Sequence, residues 1–86
     1  MVPAGQAFLY INQNYPNINL YTEDLRHPSK EGTYLAALMI FNTLSNKSPV
    51  GNKYIMNLEP KVARTLQEVS WKTHKEFKKM QLNSGL

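Results

Sequence analysis

Eighty-six residues, 42% of them apolar, with a net charge of +4, make one small domain with material for a hydrophobic core, not a disordered chain. The absence of cysteine excludes disulfides, cysteine-ligated zinc and thiol catalysis. The length excludes a complete doubly wound α/β enzyme, and the longest apolar run, Leu35 to Phe41, is too short to span a bilayer.

The first residues, Met1-Val2-Pro3-Ala4-Gly5-Gln6, lack a basic segment leading into an apolar one, so no secretory signal is expected and the reading is of a cytoplasmic chain. Ala4, Ala7, Phe8, Ile11 and Tyr15 then recur at i, i+3, i+4, i+7 and i+11, the spacing of one helical stripe. Pro3 suits a first turn and Pro16 disfavours helical geometry at Tyr15, so a first helix is predicted over about 4–14.

Residues 16–28 read as a connector. Ile18, Leu20 and Thr22 alternate with Asn17, Asn19 and Tyr21, which predicts a short extended piece. Asp24 and His27 follow, three residues apart, and Pro28 keeps His27 out of the helix behind it. That spacing lets one loop present an acid–base pair, in which the imidazole takes a proton from a hydroxyl and the carboxylate fixes the ring and its tautomer. On spacing alone, surface loop residues or a helix cap are the readings to prefer.

Ser29 is a good N-cap, with Glu31 in the first turn, where the helix dipole favours negative charge. A second helix is predicted over about 30–45, and its residues Tyr34 to Phe41 are apolar on nearly every side. The turn-rich run Asn46 to Asn52 stops it. Pro60 fits the first position of a third helix over about 60–81. Val62, Leu66, Val69, Thr73, Phe77 and Met80, widened by Ala63 and Ser70, form its inner stripe; Lys61, Arg64, Glu68, Lys72, Lys75 and Lys79 form its wet face. His74 reads as a boundary residue and Trp71 as a packing residue. The lysines come without an arginine cluster or a stacking strip, so nucleic-acid binding is not expected. His27 and His74 lack a third ligand for a metal.

Several blocks in order carry a resemblance: Val2-Pro3-Ala4-Gly5-Gln6-Ala7-Phe8, then Pro16-Asn17-Ile18-Asn19-Leu20-Tyr21, then Asp24-Leu25-Arg26-His27-Pro28-Ser29 with Gly32-Thr33-Tyr34-Leu35-Ala36-Ala37, then Leu66-Gln67-Glu68-Val69-Ser70-Trp71. Together they resemble the closing third of one branch of the SGNH (GDSL-type) hydrolases, esterases and lipases with a Ser–His–Asp triad. The likeness runs over about residues 2–75. It implies that Asp24 is the triad acid and His27 the general base. The family's Gly-Asp-Ser nucleophile turn and its later Gly and Asn oxyanion blocks have no counterpart here.

The expected fold is therefore mainly α: three helices with an extended connector, resembling the C-terminal part of such a hydrolase without its sheet. The expected function is an incomplete triad, inactive alone, whose serine blocks a second chain could supply. The other reading is a small helical protein-interaction module with no catalytic role. Neither cofactor nor metal is called for. Because three helices give limited cover to an all-apolar second helix, a homo-oligomer through Leu35, Leu38, Met39 and Phe41 is expected.

Overall fold

The computed structural model describes residues 4–22 and 29–83, with side chains described as far as residue 80. Three helices follow in order: α1 (Ala4–Asn14), α2 (Lys30–Ser45) and α3 (Pro60–Asn83). The chain is mainly α, as the periodicities predict, and α3 runs two residues past its expected end. Among the described residues the only extended pairing is an isolated bridge position at Tyr21, within the connector where a short extended piece is expected.

Each helix buries one stripe. Ala7 and Ile11 point inward from α1, Tyr34, Leu35, Leu38 and Met39 from α2, and Ala63, Leu66 and Val69 from α3. Leu20 and Leu58, from the two connectors, close the same core, with Phe8, Ile18, Ile55, Met56 and Val62 packed against it. Each fully buried aliphatic side chain contributes about 1.5–3 kcal/mol. The α2–α3 contact is the most extensive and α1 touches both. Lys72 also ties α3 to α1. Its ammonium donates to the Tyr10 hydroxyl at 3.2 Å and stands 4.8 Å from that ring's centroid, and the hydrogen bond first of all holds the lysine above its ordinary pKa.

The ends of α2 follow from particular residues. Ser29, extended at φ −70° and ψ 179°, accepts from the Gly32 amide; Asn46, left-handed at φ 55°, donates its amide to the Asn42 carbonyl at 2.8 Å. The second connector then makes two turns. Pro49 to Asn52 closes through Asn52 N to Pro49 O at 3.0 Å, with Gly51 at φ +89° in the position that requires a positive φ. Ile55 to Leu58 closes through Leu58 N to Ile55 O at 2.9 Å, with Met56 and Asn57 both left-handed.

The face of α2 that enters this core bears on the expected oligomer contact. Leu35, Leu38 and Met39 are buried among the chain's own helices, whereas Phe41 stays exposed together with Ile40 and Leu44. An apolar helix has no polar side to announce which row turns inward.

Candidate functional site

Asp24 and His27 lie outside the described residues, and so do Leu25, Arg26 and Pro28. What the structure defines is the frame on either side. On the approach, Ile18 is half-buried and Leu20 is buried, with Tyr21 and Thr22 exposed between Leu20 and the segment. On the exit, Ser29 is held at four points. Its amide donates to the Leu20 carbonyl at 2.8 Å, its hydroxyl donates to the Asn19 carbonyl, the same oxygen accepts from the Gly32 amide at 3.1 Å, and its carbonyl accepts from Thr33 N at 2.8 Å.

One serine therefore both caps α2 and fastens the connector to it. Its single hydroxyl proton is spent on Asn19, so Ser29 is a structural serine and no free nucleophile. Ser29, the first described residue after Asp24 and His27 in the sequence, is thus the N-cap of α2.

Beside this frame is an open groove of about 390 Å³ lined by Ala4, Gly5, Phe8, Leu9, Asn12 and Tyr21. The Phe8 and Tyr21 rings lie 5.8 Å apart and tilted by 58°. A Cβ built on Gly5 meets nothing within 4 Å, so the groove is open above α1. Its walls suit an apolar group, with the Asn12 amide as the polar element.

A second polar arrangement, which the sequence reading did not foresee, runs along the α2–α3 contact. Gln67 is buried, and its amide nitrogen donates to the Tyr34 hydroxyl at 2.9 Å and to the Asn52 carbonyl at 3.1 Å, while its oxygen accepts from the Gly51 amide at 3.0 Å. Tyr34 passes its own proton to the Tyr54 carbonyl at 2.8 Å. One turn on, Asn42 donates to Ser70, which donates to the Gln67 carbonyl. The Asn42 side-chain oxygen, Oδ1, is buried without a partner. Farther along, His74 pairs through Nε2 with Asn46 Oδ1 at 3.0 Å and stacks on Trp71, with ring centroids 5.4 Å apart. Burial, and then the nearby Lys78, lower its pKa. The spacing Ala63, Gln67, Ser70, His74 is i, i+4, i+7, i+11, a small and polar row beside the apolar stripe; that row is the signal that could have found Gln67.

None of the described serines joins an imidazole. Ser70 serves Asn42 and Gln67, Ser45 donates to the Phe41 carbonyl, and Ser48 accepts from Val50 N. Among the described residues no group of three His, Asp or Glu side chains could hold a metal, and no helix is long and apolar enough to cross a membrane. Compared with known protein families, with curated proteins and with solved structures, the chain finds no match in any of the three.

Proposed function

We propose that the chain is the closing part of an SGNH-like ester hydrolase, contributing Asp24 as the acid and His27 as the general base of a Ser–His–Asp triad. The nucleophile turn and the oxyanion donors come from a separate segment or chain. Alone, the chain does not turn over esters, because a base without a nucleophile and oxyanion donors loses most of the triad's acceleration.

The observation that carries this reading is the placement of Ser29. A loop that presents a base must return to a fixed point, and Ser29 supplies it with bonds to Leu20, Asn19 and Gly32 at once. Two further features agree with it. In the sequence the segment runs directly into the N-cap of α2, and the groove lined by Phe8 and Tyr21 suits the apolar part of an ester.

A second reading, a helical interaction module without chemistry, draws on the exposed apolar row of α2, since such rows serve contact and not catalysis. Co-expression separates the two. The chain is produced with any polypeptide encoded beside it that carries Gly-Asp-Ser, Gly and Asn blocks, and hydrolysis of p-nitrophenyl acetate is followed. Activity in the pair that disappears with His27→Ala and drops steeply with Asp24→Asn supports the hydrolase reading. Activity in the pair that is indifferent to both substitutions, or the absence of any such polypeptide, leaves the interaction module.

A further inference from the structure

We infer that the protein forms a twofold-symmetric dimer through the outer row of α2, with Leu44 of each protomer seated in the cleft that Ala37, Phe41 and Tyr54 open on the other. The row Ala37, Ile40, Phe41 and Leu44 follows i, i+3, i+4 and i+7 and carries no charge. It is the row left over once Leu35, Leu38, Met39 and Asn42 have entered the core. Leu44 is 83% exposed, Ile40 49% and Phe41 41%; Tyr54, from the following connector, adds an edge that is 70% exposed.

Next to the row is a cleft of about 170 Å³ lined by Tyr34, Ala37, Leu38, Phe41, Asn52 and Tyr54. Two of its polar atoms, the Tyr34 hydroxyl and Asn52 Oδ1, are already engaged. The Tyr34 hydroxyl stands between Gln67 and the Tyr54 carbonyl, and Asn52 Oδ1 accepts from the Tyr54 amide at 2.9 Å. What remains is an apolar seat. A cavity of about 150 Å³ is enough for a benzene ring, so this one takes a leucine side chain and rejects a charged group.

Knob and seat lie on the same surface, which is the condition for a self-complementary contact. Two antiparallel copies of α2 related by an axis beside Ile40 and Phe41 bring each Leu44 level with Ala37 of its partner. Ala37 is small and lets the helices approach. The four large side chains expose roughly 450 Å² of apolar surface, taking about 150–250 Å² for each such residue when free. That is more than half of the ~800 Å² that one partner gives to a standard interface. Because the row has no lysine or arginine, two chains of charge +4 meet at an uncharged seam. The inference does not depend on the hydrolase reading, since the row lies in the second half of α2 and the Asp24–His27 segment precedes its first turn.

Sedimentation velocity over a concentration series from low micromolar to near millimolar tests it, with Leu44→Lys as the variant. A lysine in the last turn suits the helix dipole, so helix content by circular dichroism stays unchanged. The expected result is a wild type that passes to dimer and a variant that remains monomeric. Ile40→Cys, in a chain without other cysteines, should form a disulfide-linked dimer on mild oxidation, while Lys61→Cys on the wet face of α3 should not. A wild type that stays monomeric throughout, a variant that associates as well as wild type, or equal cross-linking at both cysteines would overturn the dimer. Association that appears only with the co-expressed serine-block polypeptide would overturn it too, while leaving the hydrolase reading standing.

Discussion

The Gln67 side chain donates to the Tyr34 hydroxyl at 2.9 Å, across 33 residues of sequence, and through that bond α3 holds both α2 and the connector between them. Gln67 uses its two amide hydrogens and its oxygen on three separate partners, Tyr34, Asn52 and Gly51. Gly51 can take this place because its φ of +89° turns the amide toward α3.

Replacing Gln67 with Leu leaves the Gly51 amide and the Asn52 carbonyl without their partner in a partly buried place. The expected loss is about 2–3 kcal/mol. Tyr34→Phe removes one hydroxyl while Gln67 keeps Asn52 and Gly51, and the expected loss is about 1 kcal/mol. Urea unfolding followed by circular dichroism should order the proteins wild type, Tyr34→Phe, Gln67→Leu. Equal stability of all three would mean that the connector is not held by this bond.

Ser29→Ala removes the cap of α2 and the tie to Asn19 together. A cap alone is worth about 1 kcal/mol, so the expected loss is about 1–2 kcal/mol. Ser29→Asp retains the capping acceptor but cannot donate to Asn19, and should recover only part of it. Full recovery by Asp would show that the Asn19 contact contributes nothing.

Much of this architecture is legible in the chain. Pro16 and Pro60 mark the end of α1 and the start of α3 through backbone geometry, Ser29 marks the start of α2 through its capping oxygen, and the helices end and begin there. The inward stripe of α3 is legible as far as Thr73 because lysines and glutamates occupy its other side, whereas Met80, expected in the same stripe, stays exposed beyond the reach of α1 and α2. The inward row of α2 is not legible, because Leu35 and Leu38 look no different from Ile40 and Leu44 until α3 packs against one set. Gln67 and Asn42 were missed because a buried amide depends on partners brought from distant positions. Asp24 and His27 were singled out by their spacing and by resemblance, and they lie outside the described residues, so the frame around them is what the structure adds.

Asn42→Leu should stabilise the protein by about 1 kcal/mol. The substitution removes a buried side-chain oxygen, Oδ1, that has no partner and gives up one 3.2 Å bond to Ser70, whose own hydrogen still reaches the Gln67 backbone carbonyl. Thermal unfolding measures the difference. A marked loss of stability would show that the Asn42 oxygen is satisfied in solution.

His74 makes stability depend on pH. Its pKa in the folded protein is lowered, chiefly by burial, so the unfolded chain, with an imidazole near 6.5, binds the proton more readily. The contribution is present in full above about pH 6.5 and is lost as pH falls through the lowered folded value. Urea midpoints between pH 8 and pH 5 should decline more for wild type than for His74→Gln, which can still donate to Asn46. Parallel curves would place the pH dependence elsewhere.

The central claim is that Asp24 and His27 form an acid–base pair, and the nitrogen-15 resonances of the two imidazole rings test it most directly. The chain has only two histidines, so both are followed in one spectrum. Asp24→Asn is predicted to shift the ring nitrogens of His27, which lose their carboxylate partner, and to leave those of His74, paired with Asn46, in place. His27 resonances that are the same in wild type and Asp24→Asn would contradict the pair, and with it the hydrolase reading.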